Sequence, residues 1–162
     1  MKYMQNGHFQ NHPLMRLTLL FTLLFLTGLW FTHFFLYFSK MGLTPQSVVD
    51  YYLGSEAEYH VARSFDSMLE VTHMHLPMMA VVILLLTHLL IFAPFSFRSK
   101  VFLISVSFLS AFFNEASGWL VRFASPHFAI LKVISFLTFQ SSLAFLIFAM
   151  VWFLTWRSNN GD

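Results

Sequence analysis

The chain has 162 residues, of which 57% are hydrophobic and only 10% are charged, and its mean hydropathy is +0.68. A soluble domain carries about a quarter charged residues, so the composition excludes an ordinary soluble domain and predicts a chain solvated by lipid. The lack of cysteine excludes disulfides, thiolate-ligated clusters and covalently attached haem. A formal charge of only +2, without a basic patch, gives no indication of nucleic-acid binding.

Four apolar segments are each long enough to span a bilayer, which takes about 20 helical residues. They cover residues 14–37, 71–92, 101–121 and 128–156. Helix-breaking residues separate them, namely Gly42, Pro45, Pro94 and Pro126. The sequence therefore predicts an all-α polytopic membrane protein, an antiparallel bundle of four transmembrane helices over residues 14–156. A polar lead at 1–13 and a tail at 157–162 flank this bundle.

The connection at about residues 40–70 has a pattern of its own. Thr44 followed by Pro45 is typical of a helix N-cap with proline at the first helical position. The following residues suit a short interfacial helix over 46–53, which Gly54 would end.

The charged residues between the spans predict an orientation. Five cations lie on the side of both termini, Lys2, Arg16, Arg98, Lys100 and Arg157. Four lie on or near the other side, Lys40, Arg63, Arg122 and Lys132, where the long connection is net acidic. We expect an integral protein of a bacterial inner membrane, with both termini cytoplasmic and the connection on the outer side.

Three histidines lie on the second predicted span, His73, His75 and His88. Imidazole is expensive in hydrocarbon, so an intramembrane histidine indicates a functional site. His73 and His88 are 15 residues apart, about 60° of rotation and roughly 22 Å of rise on a helix. They would therefore lie on nearly one face, near opposite membrane surfaces. His73 and His75 point to opposite sides of a regular helix, so both cannot face one ligand.

Further candidate residues converge in the outer half of the predicted bundle. They are His33 on the first span, Glu115 and Arg122 near the end of the third, and His127 and Lys132 at the start of the fourth. Gly28 and Gly118 lack side chains and would let a flat porphyrin approach the backbone. Neutral imidazole is the commonest haem-iron ligand, so this combination predicts haem b.

In this interpretation each group has a role. The candidate iron ligands are His33, His73, His75, His88 and His127. Arg122 and Lys132 would pair with the propionates, and Glu115 is a candidate proton acceptor beside a quinone. Each has a structural alternative as well. His127 would be an ordinary interfacial residue, and Glu115 would form an ion pair with Arg122 or Lys132.

The four spans and the histidines at positions 73 and 88, with fourteen residues between them, resemble the small four-helix membrane cytochromes b that exchange electrons with quinones. The resemblance is one of architecture and covers residues 14–156. It implies haem ligands in pairs from different helices and electron transfer between a quinol and an outer-side acceptor, or within a respiratory complex. His88 lacks a histidine partner at matching depth, so the pattern favours one haem over two.

Two other classes of function stay open. His73-Met74-His75 followed by Met78 and Met79 is a nitrogen- and sulfur-rich segment that suits copper on the outer side. Alternatively, the chain is a cofactor-free accessory subunit beside larger membrane subunits, or a homo-oligomer in the bilayer.

Overall fold

The computed structural model describes residues 12–57 and 59–156, and every regular segment in this part of the chain is helical. The helices are α1 (Pro13–Phe38), α2 (Pro45–Leu53), α3 (Phe65–Leu90), α4 (Phe97–Phe123) and α5 (Ala129–Trp156), with a 3-10 turn at Pro126–Phe128 before α5. All except α2 are long and apolar enough to cross a membrane. The predicted all-α four-helix transmembrane bundle is confirmed. The tail at 157–162 and nearly all of the lead at 1–13 lie outside the described residues.

Two spanning helices begin earlier than hydropathy predicted, because polar residues cap them. α3 begins at Phe65, where the side chain of Ser64 accepts a hydrogen bond from the backbone of Ser67 at 3.2 Å. α4 begins at Phe97, where Ser96 accepts from the backbone of Ser99 at 3.2 Å. Such caps satisfy amides at the helix start that have no intrahelical partner. The helices therefore begin before the apolar segments, by six residues in α3 and by four in α4.

The connection contains the predicted short helix. α2 begins after Thr44, whose side chain accepts from the backbone of Ser47 at 3.3 Å, and it ends at Gly54. Gly54 has φ +89°, and a Cβ there would lie 2.7 Å from the backbone oxygen of His60. Glycine is therefore required at this turn. The end of the bundle that carries α2 is called the α2 end below.

A close contact between α4 and α5 organises the bundle. Small polar side chains line it, Ser107, Ser110 and Ser117 on α4 and Ser135 and Ser142 on α5, and each donates to a carbonyl of its own helix. Small residues let transmembrane helices approach closely without unpaired polar groups. As a result α5 is central, with 56% of its spanning window buried, against 6% for α1.

α1 and α3 both pack against α5 and have hardly any contact with each other. A gap therefore lies between α1 and α3, and α5 forms its floor. Trp30 ties α1 to this floor, since its indole nitrogen donates to the backbone oxygen of Gln140 at 3.1 Å. The gap positions the candidate site.

Candidate functional site

A polar cavity of about 260 Å³ lies at the α2 end, and all five helices contribute to its lining. Its polar groups inside the spanning helices include His33, Thr72, His75, Asn114, Glu115 and Lys132. Lys40 and Arg63, at the same cavity, come from the segments that flank α2. The cavity therefore gathers three cationic side chains, two imidazoles and one carboxyl group.

An apolar cavity of about 200 Å³ adjoins the polar one in the gap between α1 and α3. Its walls include Leu26 and Leu29 from α1, Met78, Met79 and Val82 from α3, and Phe139 from α5. His33, Leu36 and His75 line both cavities. The two histidines thus lie at the border between a polar and an apolar space.

His33 and His75 face each other across the gap. Their ring centroids are 6.4 Å apart and the ring planes are inclined by 84°. Each ring has a partner at its Nδ1 atom. Nδ1 of His33 lies 2.6 Å from Nε2 of Gln140. Nδ1 of His75 lies 3.3 Å from Oε2 of Glu115. Neither Nε2 has a hydrogen-bond partner in the described part of the chain. Each ring therefore has one nitrogen, Nε2, that is not engaged by the described part of the chain.

A hydrogen-bonded chain holds Glu115. The Thr72 hydroxyl donates to Oε1 of Glu115, and the indole nitrogen of Trp119 donates to that hydroxyl at 2.8 Å. His75 occupies the second carboxyl oxygen, and the Glu115 side chain is 13% exposed. The predicted alternative partners, Arg122 and Lys132, form no ion pair with Glu115 in the described structure. Glu115 acts here on the orientation of His75.

Lys132 is buried on the α5 side of the polar cavity, with 6% of its surface exposed. Its ammonium nitrogen donates to the backbone oxygen of Asn114 at 2.6 Å. Oδ1 of Asn114 is buried at the same cavity and has no hydrogen-bond partner in the described part of the chain. The cavity therefore holds a buried ammonium group and, beside it, a hydrogen-bond acceptor that has no partner in the described structure.

Gly118 has a different role from the predicted one. A Cβ at Gly118 would meet the Tyr52 hydroxyl, so this glycine accommodates α2 and does not leave room for a porphyrin. Burial at this contact raises the pKa of the Tyr52 phenol above its ordinary value. Gly28 has no atom within 4 Å of an added Cβ, so it faces open space.

Arg122 lies outside the cavity lining and caps the connection instead. Its Nε donates to the backbone oxygen of Arg63 at 2.7 Å. The Arg63 guanidinium in turn donates to the Tyr51 hydroxyl at 2.6 Å and lies over that ring. Of the two cations predicted to meet propionates, the structure thus brings only Lys132 to the histidines.

The remaining candidate histidines lie away from this pair. His73 is exposed on the side of α3 opposite His75, as the helical spacing predicted. His127 is exposed in the 3-10 turn, where its backbone amide donates to Ser125. His88 is exposed near the other end of α3, with its ring against Phe92 at 5.6 Å.

Sequence reasoning missed the partners of both central histidines. Gln140 is the one amide side chain in the sequence of α5, and Thr72 and Trp119, which hold Glu115, resemble ordinary interfacial residues. A buried amide in a transmembrane helix is itself a signal, because it requires a hydrogen-bond partner. That signal would have paired Gln140 with a helix facing α5.

Comparison with known protein families gives a match. The model of the Aq_1264_TM family, described as a transmembrane helical domain, matches residues 42–161, which hold α2 to α5. No curated protein and no solved structure matches the chain.

Proposed function

The chain belongs to the Aq_1264_TM family of transmembrane helical domains, and we propose that it is a b-type haem protein that transfers electrons in the membrane. The observation that carries this proposal is the pair of facing histidines, His33 and His75, whose Nδ1 atoms are engaged and whose Nε2 atoms have no partner in the described structure. A bound haem would supply a one-electron redox centre.

The spacing of the two rings fits an iron between them. Iron–nitrogen bonds of about 2 Å, with about 1 Å more from each nitrogen to its ring centre, put the centroids about 6 Å apart. The observed separation is 6.4 Å. Metal-bound histidines generally donate the N–H of their other ring nitrogen to a carboxylate or a carbonyl oxygen. Glu115 is such a partner for His75, and Gln140 would be one for His33 with its amide oxygen toward Nδ1.

The surroundings fit a porphyrin as well. The apolar cavity offers leucine, methionine and phenylalanine walls in the gap between α1 and α3, where the bundle is open. The adjoining polar cavity offers Lys132, Lys40 and Arg63 for the propionates, a set that replaces the predicted Arg122. Haem has a large apolar ring and two carboxylates at one edge. The apolar cavity would hold the ring, and the cationic side chains would bind the carboxylates.

Quinol is our proposed electron donor. The polar cavity holds Glu115, the predicted proton acceptor, together with the unpartnered Oδ1 of Asn114. Quinol oxidation releases protons with its electrons, so it needs a base such as the Glu115 carboxylate beside the redox centre. Oδ1 of Asn114 would accept a hydrogen bond from a quinol hydroxyl. We propose an outer-side acceptor or a partner subunit of a respiratory complex as the destination of the electrons. The bacterial inner membrane, with cytoplasmic termini, is the proposed location.

Copper binding is a less supported alternative. His73 and Met74 are exposed on α3, whereas Met78 and Met79 line the apolar cavity together with His33 and His75. Among the described residues, no group of three histidine, aspartate or glutamate side chains is placed to hold a metal ion. The cofactor-free accessory subunit is the other alternative.

The test is the absorption spectrum of the detergent-purified protein, oxidised and dithionite-reduced. We expect a Soret band with sharp α and β bands, and loss or change of these bands in His33→Ala and His75→Ala. His73→Ala is the matched control, because it removes an exposed histidine two residues away and should keep the spectrum. His88→Ala and His127→Ala should keep it too. A haem-free wild-type protein contradicts the proposal, and metal analysis then distinguishes copper from no cofactor.

A further inference from the structure

Gln140 is a polar side chain that α5 places at the floor of the gap between α1 and α3. It is 4% exposed, and its Nε2 lies 2.6 Å from Nδ1 of His33. Its Oε1 is buried without a hydrogen-bond partner in the described part of the chain. An unpaired buried acceptor is destabilising, so this amide is held in an arrangement that leaves one group unsatisfied.

The backbone of Gln140 is fixed separately from its side chain. Trp30 donates to the backbone oxygen of Gln140, and His33 lies one turn further along α1 on the same face. One residue of α5 therefore anchors two neighbouring side chains of α1. α1 is otherwise little buried, so these two bonds, together with the Phe136 and Phe139 rings that contact His33, hold the His33 ring in its orientation.

The orientation of the amide decides which nitrogen of His33 is available to a ligand. When Nε2 of Gln140 donates to Nδ1, the ring proton lies on the Nε2 of His33, which then cannot bind a metal. When the amide is turned over, Oε1 accepts from Nδ1–H and the Nε2 of His33 has a lone pair. The two ends of the amide have nearly the same shape, so the turned side chain occupies nearly the same volume. His75 has a carboxyl group as partner, and its own ring does not depend on such a turn.

We propose that Gln140 is a positioning residue that selects the tautomer of His33, and that binding of a ligand at the Nε2 of His33 is coupled to a turn of the Gln140 amide. This inference rests on the proposed function, because the ligand is haem iron. The protons balance: the ring stays neutral, its proton passes from Nε2 to Nδ1, and none is gained or lost in total.

The first test uses ligand-free protein with ¹⁵N-labelled histidine, in which nitrogen chemical shifts report the tautomer. The His33 signal is assigned by its loss in His33→Ala. We expect the Nε2–H tautomer in the wild type and the Nδ1–H tautomer in Gln140→Glu, whose carboxylate accepts from the ring. Gln140→Met keeps the length of the side chain but forms no hydrogen bond, so His33 should lose its preference for the Nε2–H tautomer. This variant also provides the test if Gln140→Glu does not fold. The proposal is overturned if His33 of the wild type has the Nδ1–H tautomer. It is also overturned if His33 of Gln140→Met has the same nitrogen shifts as the wild type.

The second test is haem affinity. Loss of the partner of a metal-binding histidine typically weakens binding by about 10- to 100-fold, and we expect this for Gln140→Met. Ser142→Ala is the control, because Ser142 is equally buried on the same helix and bonds only to the backbone of Phe139. Unchanged affinity in Gln140→Met overturns the coupling. If the wild-type protein binds no haem, the proposed function is wrong. The role of Gln140 is then decided separately by the tautomer of His33 in the ligand-free protein.

Discussion

Tyr52 and Gly118 fit together at the point where α2 lies on α4. A Cβ at Gly118 would lie 2.6 Å from the Tyr52 hydroxyl oxygen and 2.8 Å from the ring carbon that carries it. Both residues line the polar cavity. The connection between the first two spans is therefore part of the wall of the site.

Gly118→Ala should destabilise the protein by about 1–3 kcal/mol, the usual range for overpacking. The ring of Tyr52 is rigid, so α2 itself must shift. The measurement is thermal unfolding in detergent. Gly28→Ala is the control, because its Cβ meets nothing within 4 Å and alanine is the better helix former. Equal effects of the two substitutions would contradict the role given to Gly118.

Thr72→Val should destabilise the bundle by about 1–3 kcal/mol, because it leaves Trp119 without its acceptor and Glu115 without one donor. Valine has nearly the shape of threonine, so the change in stability comes mainly from the loss of the hydroxyl group. Thr18→Val is the control: its hydroxyl is exposed and bonds only to the backbone of Leu14, so we expect a change within about 0.5 kcal/mol. Unfolding in detergent compares the two, and a Thr72→Val protein as stable as the control would contradict the network.

The raised pKa of Tyr52 predicts a loss of stability in alkali. The folded chain holds this proton more tightly than the unfolded chain, whose phenol has a pKa of about 10. The stability that Tyr52 contributes is therefore complete below about pH 10 and is lost as the pH rises above it. Tyr52→Phe should reduce the fall in melting temperature between neutral and alkaline pH. Tyr59 is an exposed tyrosine of the same connection, so Tyr59→Phe should show the same fall in melting temperature as the wild type.

Much of the architecture could be predicted from local sequence. The four spans follow from apolar length, and α2 follows from Thr44, Pro45 and Gly54, because caps and breakers act on their own neighbourhood. The helical period also separated His73 from His75. The helix starts at Phe65 and Phe97 were missed, because hydropathy does not register polar capping turns.

The partners within the site could not be predicted, because they depend on how the helices are rotated about their axes. Nothing local in the sequence indicates that Gln140 faces His33, or that Arg122 caps the backbone of Arg63. The expected role of Gly118 was wrong for the same reason: its free space is filled by Tyr52, which is 66 positions away in the chain.

Glu115→Gln tests the quinol part of the proposal. Glutamine keeps the shape, and with its amide oxygen toward His75 it still accepts the Nδ1–H of that ring, so the haem spectrum should stay intact. Its NH2 group then takes the place of the oxygen that accepts from Thr72. Removal of a negative charge beside an iron ligand favours the reduced haem, which on its own would make reduction easier. Slower reduction by a quinol analogue in this variant would therefore indicate a lost proton acceptor. The measurement is stopped-flow reduction of the haem, with potentiometry on the same sample. Wild-type kinetics in Glu115→Gln would remove Glu115 from proton transfer, and failure of any quinol to reduce the wild-type haem would leave a partner protein as the donor.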